Sequence, residues 1–123
     1  MTTGRASHSL CVIDDWIYAI CGETSKGPTS TIERLQVSRI GTERGQWHKI
    51  QLRAPPGSEQ AANLDIEDDK FGESLLPPRM NLMAAPIGSQ QIVILGGYIA
   101  SMGFLGDAYI LNTKTRDDET NVL

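Results

Sequence analysis

Long apolar runs, basic clusters, histidine and cysteine are all scarce in this chain, and each scarcity excludes something. No stretch approaches the roughly 18 apolar residues that a membrane-spanning helix needs, so no membrane partner is expected. The formal net charge is -4, and no run of Lys and Arg occurs. Binding to phosphate backbones needs a basic stripe that displaces counterions, so this surface would on average repel DNA and RNA. The opening residues, Met1 to Ser9, are polar and carry no apolar leader core. A cytoplasmic chain is the resulting expectation.

The cysteines are Cys11 and Cys21, and their spacing fits no zinc pattern. With Asp14 and Asp15 as a two-residue hairpin turn, Cys11 faces Tyr18 and Ile13 faces Trp16. Cys21 then lies three residues further on, about 10 Å away at ~3.3 Å per residue. A disulfide requires the Cα atoms within about 7 Å, so both thiols are expected reduced and buried. Nucleophilic catalysis needs a base, and the only histidines are His8 and His48. Neither has a visible acid and nucleophile arranged around it, and no catalytic residue is expected.

Other chemistry fails on spacing. Counting a calcium loop from Asp65 puts Lys70 at its sixth position and Leu76 at its twelfth, where Gly and Glu are required. The cluster Asp65, Glu67, Asp68 and Asp69 therefore reads as a solvated charge run. The glycines lack the Gly-Lys-Ser/Thr ending of a phosphate loop. Met80, Met83 and Met102 read as gap-fillers. No metal and no cofactor are expected.

What the chain does contain is strand-like periodicity broken by turn residues. Leu10–Ile13 and Trp16–Cys21 read as a hairpin. A loop at Glu23–Ser30 follows, then strands at Thr31–Val37 and Gln46–Leu52 around a Gly41–Gly45 turn. The second half offers a weak strand at Met80–Ile87, a turn at Gly88–Gln90, and Gln91–Leu95. The unbroken Ile92-Val93-Ile94-Leu95 predicts a strand buried on both faces. A loop over Tyr98–Gly106 leads to a last strand at Asp107–Thr113. Between the halves, residues 53–75 are acidic, contain Pro55, Pro56 and Gly57, and lack a clean period; they read as a loop. The fold class expected is all-β, as one domain over 1–123.

The two halves match each other. Unit one, residues 5–52, reads Arg5-x-x-His8-Ser9, a hairpin with Tyr18, an apolar strand ending Cys21-Gly22, a loop, Glu33, and Trp47. Unit two, residues 76–115, reads Pro77-Pro78-Arg79, a weak strand, Ile92 to Leu95 ending in Gly96-Gly97, a loop, and Asp107-Ala108-Tyr109. Residues 116–123 are a polar tail. This order resembles the kelch repeat of β-propellers, in which an Arg and often a His-Ser precede an apolar strand that ends in Gly-Gly. A variable loop, an acidic-plus-Tyr strand and a Trp follow.

The resemblance implies two antiparallel blade-like sheets, four-stranded and three-stranded, forming a partial propeller. Asn121-Val122-Leu123 could begin the missing fourth strand. Gly22 and Gly97 stand further apart than the roughly 50 residues usual for the repeat, and the acidic insert accounts for the excess. Trp47 is expected to fill the wedge between blades, and Arg5 and Arg79 to tie neighbouring strands. Two blades cannot close a ring of about four to eight. A fragment, a truncated product or one part of an assembly is therefore expected, completed by further blades or self-association.

The resemblance also implies a non-catalytic scaffold or adaptor that presents blade loops to a partner protein. The residues proposed to meet it are Glu23, Thr24, Ser25 and Lys26 in one loop and Tyr98, Ser101 and Phe104 in the other, with the acidic insert as a further candidate. The alternatives are a piece of an oxidase-like or epimerase-like propeller enzyme, or a gene product without independent function.

Overall fold

The computed structural model describes residues 1–53, 76–113 and 120–122; the insert from 54 to 75, with the acidic cluster at 65–69, lies outside them. The fold is all-β. Unit one comprises β1 (Ser9–Ile13), β2 (Trp16–Ile20), a small hairpin of β3 (Glu23–Thr24) and β4 (Gly27–Pro28), then β5 (Ile32–Gln36) and β6 (His48–Arg53). Asp14-Asp15 makes the predicted turn, and Cys11 pairs with Tyr18 and Ile13 with Trp16. A single 3-10 turn at Val37–Arg39 precedes the Gly41–Gly45 stretch.

Unit two repeats this plan as β7 (Met83–Ile87), β8 (Gln91–Leu95), a hairpin of β9 (Tyr98–Ile99) and β10 (Gly103–Phe104), and β11 (Ala108–Asn112). Pro86 is accommodated because β7 ends its sheet, so its missing N–H breaks no internal ladder. A fourth strand, β12 (Thr120–Val122), stands beside β11 and pairs in parallel with β6. The two antiparallel sheets thereby join edge to edge in the order β1-β2-β5-β6-β12-β11-β8-β7.

Backbone conformation repeats as closely as strand order. Ser7 and Asn81 have φ of 53° and 55°. Cys21 and Gly96 have 53° and 58°, and Gly22 and Gly97 have 104° and 108°. The Gly-Gly of the second unit thus supplies two consecutive positive-φ positions. Cys21 adopts the first of them despite its side chain, at a cost on the order of 1 kcal/mol. The hydrogen bonds repeat too: Cys21 N donates to Thr31 O and Gly96 N to Asp107 O, both at 3.0 Å.

One core cluster takes side chains from both units, among them Tyr18, Ile20, Ile32 and Ile50 from the first and Ile92, Ile94 and Leu111 from the second. Full burial of each is worth roughly 1.5–3 kcal/mol. The expectation that β8 is buried on both faces is corrected here. Ile92 and Ile94 are fully buried, but Val93 is only half-buried and Leu95 is 43% exposed. Its second face has no sheet packed on it among the described residues, so an unbroken apolar run is only half used. Trp47 is half-buried just before β6. The tryptophan that packs against the core is Trp16, with the Arg34 guanidinium 4.1 Å from its ring centroid.

Candidate functional site: two hairpins at one end

Both small hairpins spring from the Gly22 and Gly97 corners, and a chain of backbone bonds ties their bases together. Glu23 exchanges hydrogen bonds with Ala6, Asn81 N donates to Ser7 O at 2.8 Å, and Met80 exchanges bonds with Tyr98. Gly22 N donates to Arg79 O at 2.8 Å. The loops of the two units therefore share one end of the molecule, on a rigid base, which is where binding residues concentrate.

An ion pair braces each corner, buried on both sides at the first and with the Asp107 carboxylate 37% exposed at the second. Arg5 donates to Cys21 O at 3.1 Å, to Thr31 O at 2.8 Å and to the Glu33 carboxylate at 2.8 Å. The Arg5 and Glu33 side chains are 0% and 1% exposed. Arg79 donates to Gly96 O at 2.9 Å, the counterpart of Cys21 O, and its two terminal nitrogens grip both oxygens of Asp107. Tyr109 lies beneath it, its ring centroid 5.2 Å from the guanidinium.

Burial pushes the Glu33 carboxyl up, but hydrogen bonds from the Thr2 hydroxyl and amide and the charge of Arg5 outweigh it and hold the group below its ordinary value. The bonds from Arg79 hold Asp107 low. Both cysteines are free and buried as expected; burial pushes the Cys21 thiol up to about 12, which removes it as a nucleophile near neutral pH. His8 is half-buried, and its Nδ1 has no hydrogen-bond partner. His48 is exposed on β6. Among the described residues no three His, Cys, Asp or Glu side chains converge as a metal site would require, and no helix is long and apolar enough to cross a membrane.

The hairpins match in backbone and differ in chemistry. In the first, Glu23 pairs with Pro28 and Thr24 with Gly27, and Thr24 Oγ1 donates to Gly27 O at 2.9 Å. Glu23, Ser25 and Lys26 are exposed, so this tip is polar. In the second, Tyr98 pairs with Phe104 and Ile99 with Gly103. The Tyr98 and Phe104 rings are 5.3 Å apart and tilted at 58°. Phe104 is 90% exposed, and Met102 and Ser101 are exposed at the tip. Asn81, Gly97, Tyr98, Phe104 and Leu105 line a cleft of about 590 Å³.

Of the loop residues singled out in the sequence, the structure brings Tyr98 and Phe104 into this cleft and leaves Ser101 at the tip beside it. Asn81 and Leu105 were not singled out. Asn81 could have been found from its equivalence to Ser7, since a short polar residue at that position tolerates positive φ. A scan against protein-family models finds no match, and a search of curated proteins finds none either.

Proposed function

We propose that the chain is a non-catalytic protein-interaction module, a kelch-type scaffold whose paired hairpins present the Tyr98–Phe104 cleft to a partner protein. The observation that carries this reading is Phe104, a large aromatic held almost fully in solvent by a two-residue strand, over a cleft with an apolar wall and an amide rim. An exposed aromatic steadied by a neighbouring ring loses little conformational freedom on binding, and such residues dominate interface energetics. The cleft fits one apolar anchor side chain of a partner peptide, with the Asn81 amide placed for its backbone. The polar tip at Glu23–Lys26 borders the same end and would supply the charged rim of that interface.

Peptides selected for binding to the full chain are the test. Phe104→Ser is expected to weaken them about 30-fold, the equivalent of ~2 kcal/mol. Its melting temperature should stay near that of the parent, because the ring is not part of the core. Equal affinity for parent and variant would remove the cleft from the account.

A further inference from the structure

Successive side chains of a strand point to opposite faces of the sheet. In unit two, Ile92 and Ile94 of β8 and Leu111 of β11 enter the core, so the alternate positions make an outward face. In register they form three rows. The first is Met83, Leu95 and Ala108, the middle one Ala85, Val93 and Ile110, and the last Ile87, Gln91 and Asn112. None of the nine is charged, in a chain whose formal net charge is -4. Two copies at that charge repel one another over most of their surface, and this face is free of that repulsion.

The face is also open, apolar and shaped to meet itself. Met83 is 70% exposed, Ile110 46%, Ile87 44% and Leu95 43%. With the alanines and Val93 it exposes on the order of 500 Å², so two such faces bury about 1,000 Å², the lower bound for a specific interface. Met83 projects at one end of β7. At the other end, about 13 Å away at ~3.3 Å per residue, lies a recess of about 340 Å³ lined by Ile87, Ser89, Gln90, Gln91 and Asn112. The Gln91 amide donates to Asn112 at 2.9 Å along its wall. The outward face of unit one, by contrast, is closed at its centre: Ala19, Glu33 and Leu35 are buried, and Thr2 and Arg5 bond to Glu33. Among the described residues, copies that meet through an open sheet face therefore meet through unit two on both sides.

We propose that a second copy of this chain docks on this face through the same face, about a two-fold axis that runs across the strands. That axis reverses the order of the rows and keeps the order of the strands. Met83 of each copy then enters the recess of the other, and the middle row meets itself, Val93 on Val93 and Ile110 on Ile110. Such an interface is isologous, so assembly stops at the dimer. It shares no residue with the Tyr98–Phe104 cleft, so either reading can fail alone.

Sedimentation equilibrium of the full chain, of Ile110→Lys, of Ile110→Asp and of their equimolar mixture tests it. The parent is expected to rise from monomer to dimer mass with concentration and to stop there. Each variant alone should stay monomeric, because the introduced charge meets its own copy across the axis. The mixture should dimerise, because opposite charges then face each other. Position 110 is substantially exposed, so both substitutions spare the core. Should either unfold, Met83→Lys decides in their place, with dimerisation expected to weaken at least ~10-fold. A parent that stays monomeric to about 1 mM overturns the proposal, since an interface of this size associates below that. A mass beyond the dimer, a single variant that associates as the parent does, or a mixture of folded variants that stays monomeric overturns it too.

Discussion

Arg5→Met is expected to destabilise the fold by about 3–5 kcal/mol at neutral pH, measured by denaturant unfolding. The magnitude follows from what is left behind. Glu33 is 1% exposed, and Arg5 is its ion-pair partner. Removing the guanidinium leaves a buried carboxylate without its counter-charge, held only by its bonds from Thr2, and leaves the carbonyls of Cys21 and Thr31 without this donor. Loss of one member of a buried pair costs more than the pair contributes.

The pH dependence has a definite sign. In the parent, Glu33 lies below its ordinary value of 4.5 in the folded state. Its contribution is therefore present above that value and is lost as pH falls through the lower, folded-state value. In Arg5→Met the bonds from Thr2 remain but the stabilising charge is gone, so the folded-state value moves up from its place in the parent. Protonation then relieves the variant. The gap between parent and variant should be widest at neutral pH and should narrow as the pH drops below about 5. A gap constant from pH 7 to pH 3 would show that Arg5 acts through packing alone.

Gly22→Ala and Gly97→Ala carry the second large effect, about 3 kcal/mol each. At Gly22 a Cβ would sit 2.6 Å from the Ala6 carbonyl oxygen and 2.8 Å from the His8 Cβ; at Gly97 it would sit 2.9 Å from the Met80 carbonyl oxygen. Those carbonyls accept from Glu23 and Tyr98 at the hairpin bases, so they cannot retreat without breaking the bonds that seat the hairpins. The φ values of 104° and 108° add backbone strain for any residue with a side chain. Gly4→Ala and Gly106→Ala are the controls: nothing lies within 4 Å of either added Cβ, and shifts within about 0.5 kcal/mol are expected. Thermal melts of the four variants decide it, and equal melting temperatures would sink the close-approach argument.

How much of this was legible in the sequence varies with the physics. The Asp14-Asp15 turn fixed the register of β1 and β2, because a two-residue connection leaves only one pairing. Glycine at corner positions marked the hairpin bases, since φ above 100° is a local demand. The arginines were visible as ties, and Glu33 and Asp107 as repeat residues, but their pairing was not, because each acid lies 28 residues from its arginine.

The unbroken run at Ile92–Leu95 was over-read. Composition says that both faces are apolar; only packing says which face is covered. The tryptophans were weighted the wrong way, since Trp16 packs against the core and stacks with Arg34, and no periodic pattern separates it from Trp47. The parallel pairing of β12 with β6 was hidden, as a three-residue strand has too few positions to show alternation. Phe104 was visible as a loop residue, but its exposure follows from its pairing with Tyr98, a fact of register rather than composition.

The binding role of the second hairpin is tested most directly by nuclear magnetic resonance of the full chain titrated with a selected peptide. The account predicts that the largest amide shifts fall on Asn81, Gly97, Tyr98, Phe104 and Leu105, and that they vanish in Phe104→Ser. Shifts centred elsewhere, on the β7 and β8 face for example, or shifts at the cleft that persist without the ring, would contradict it.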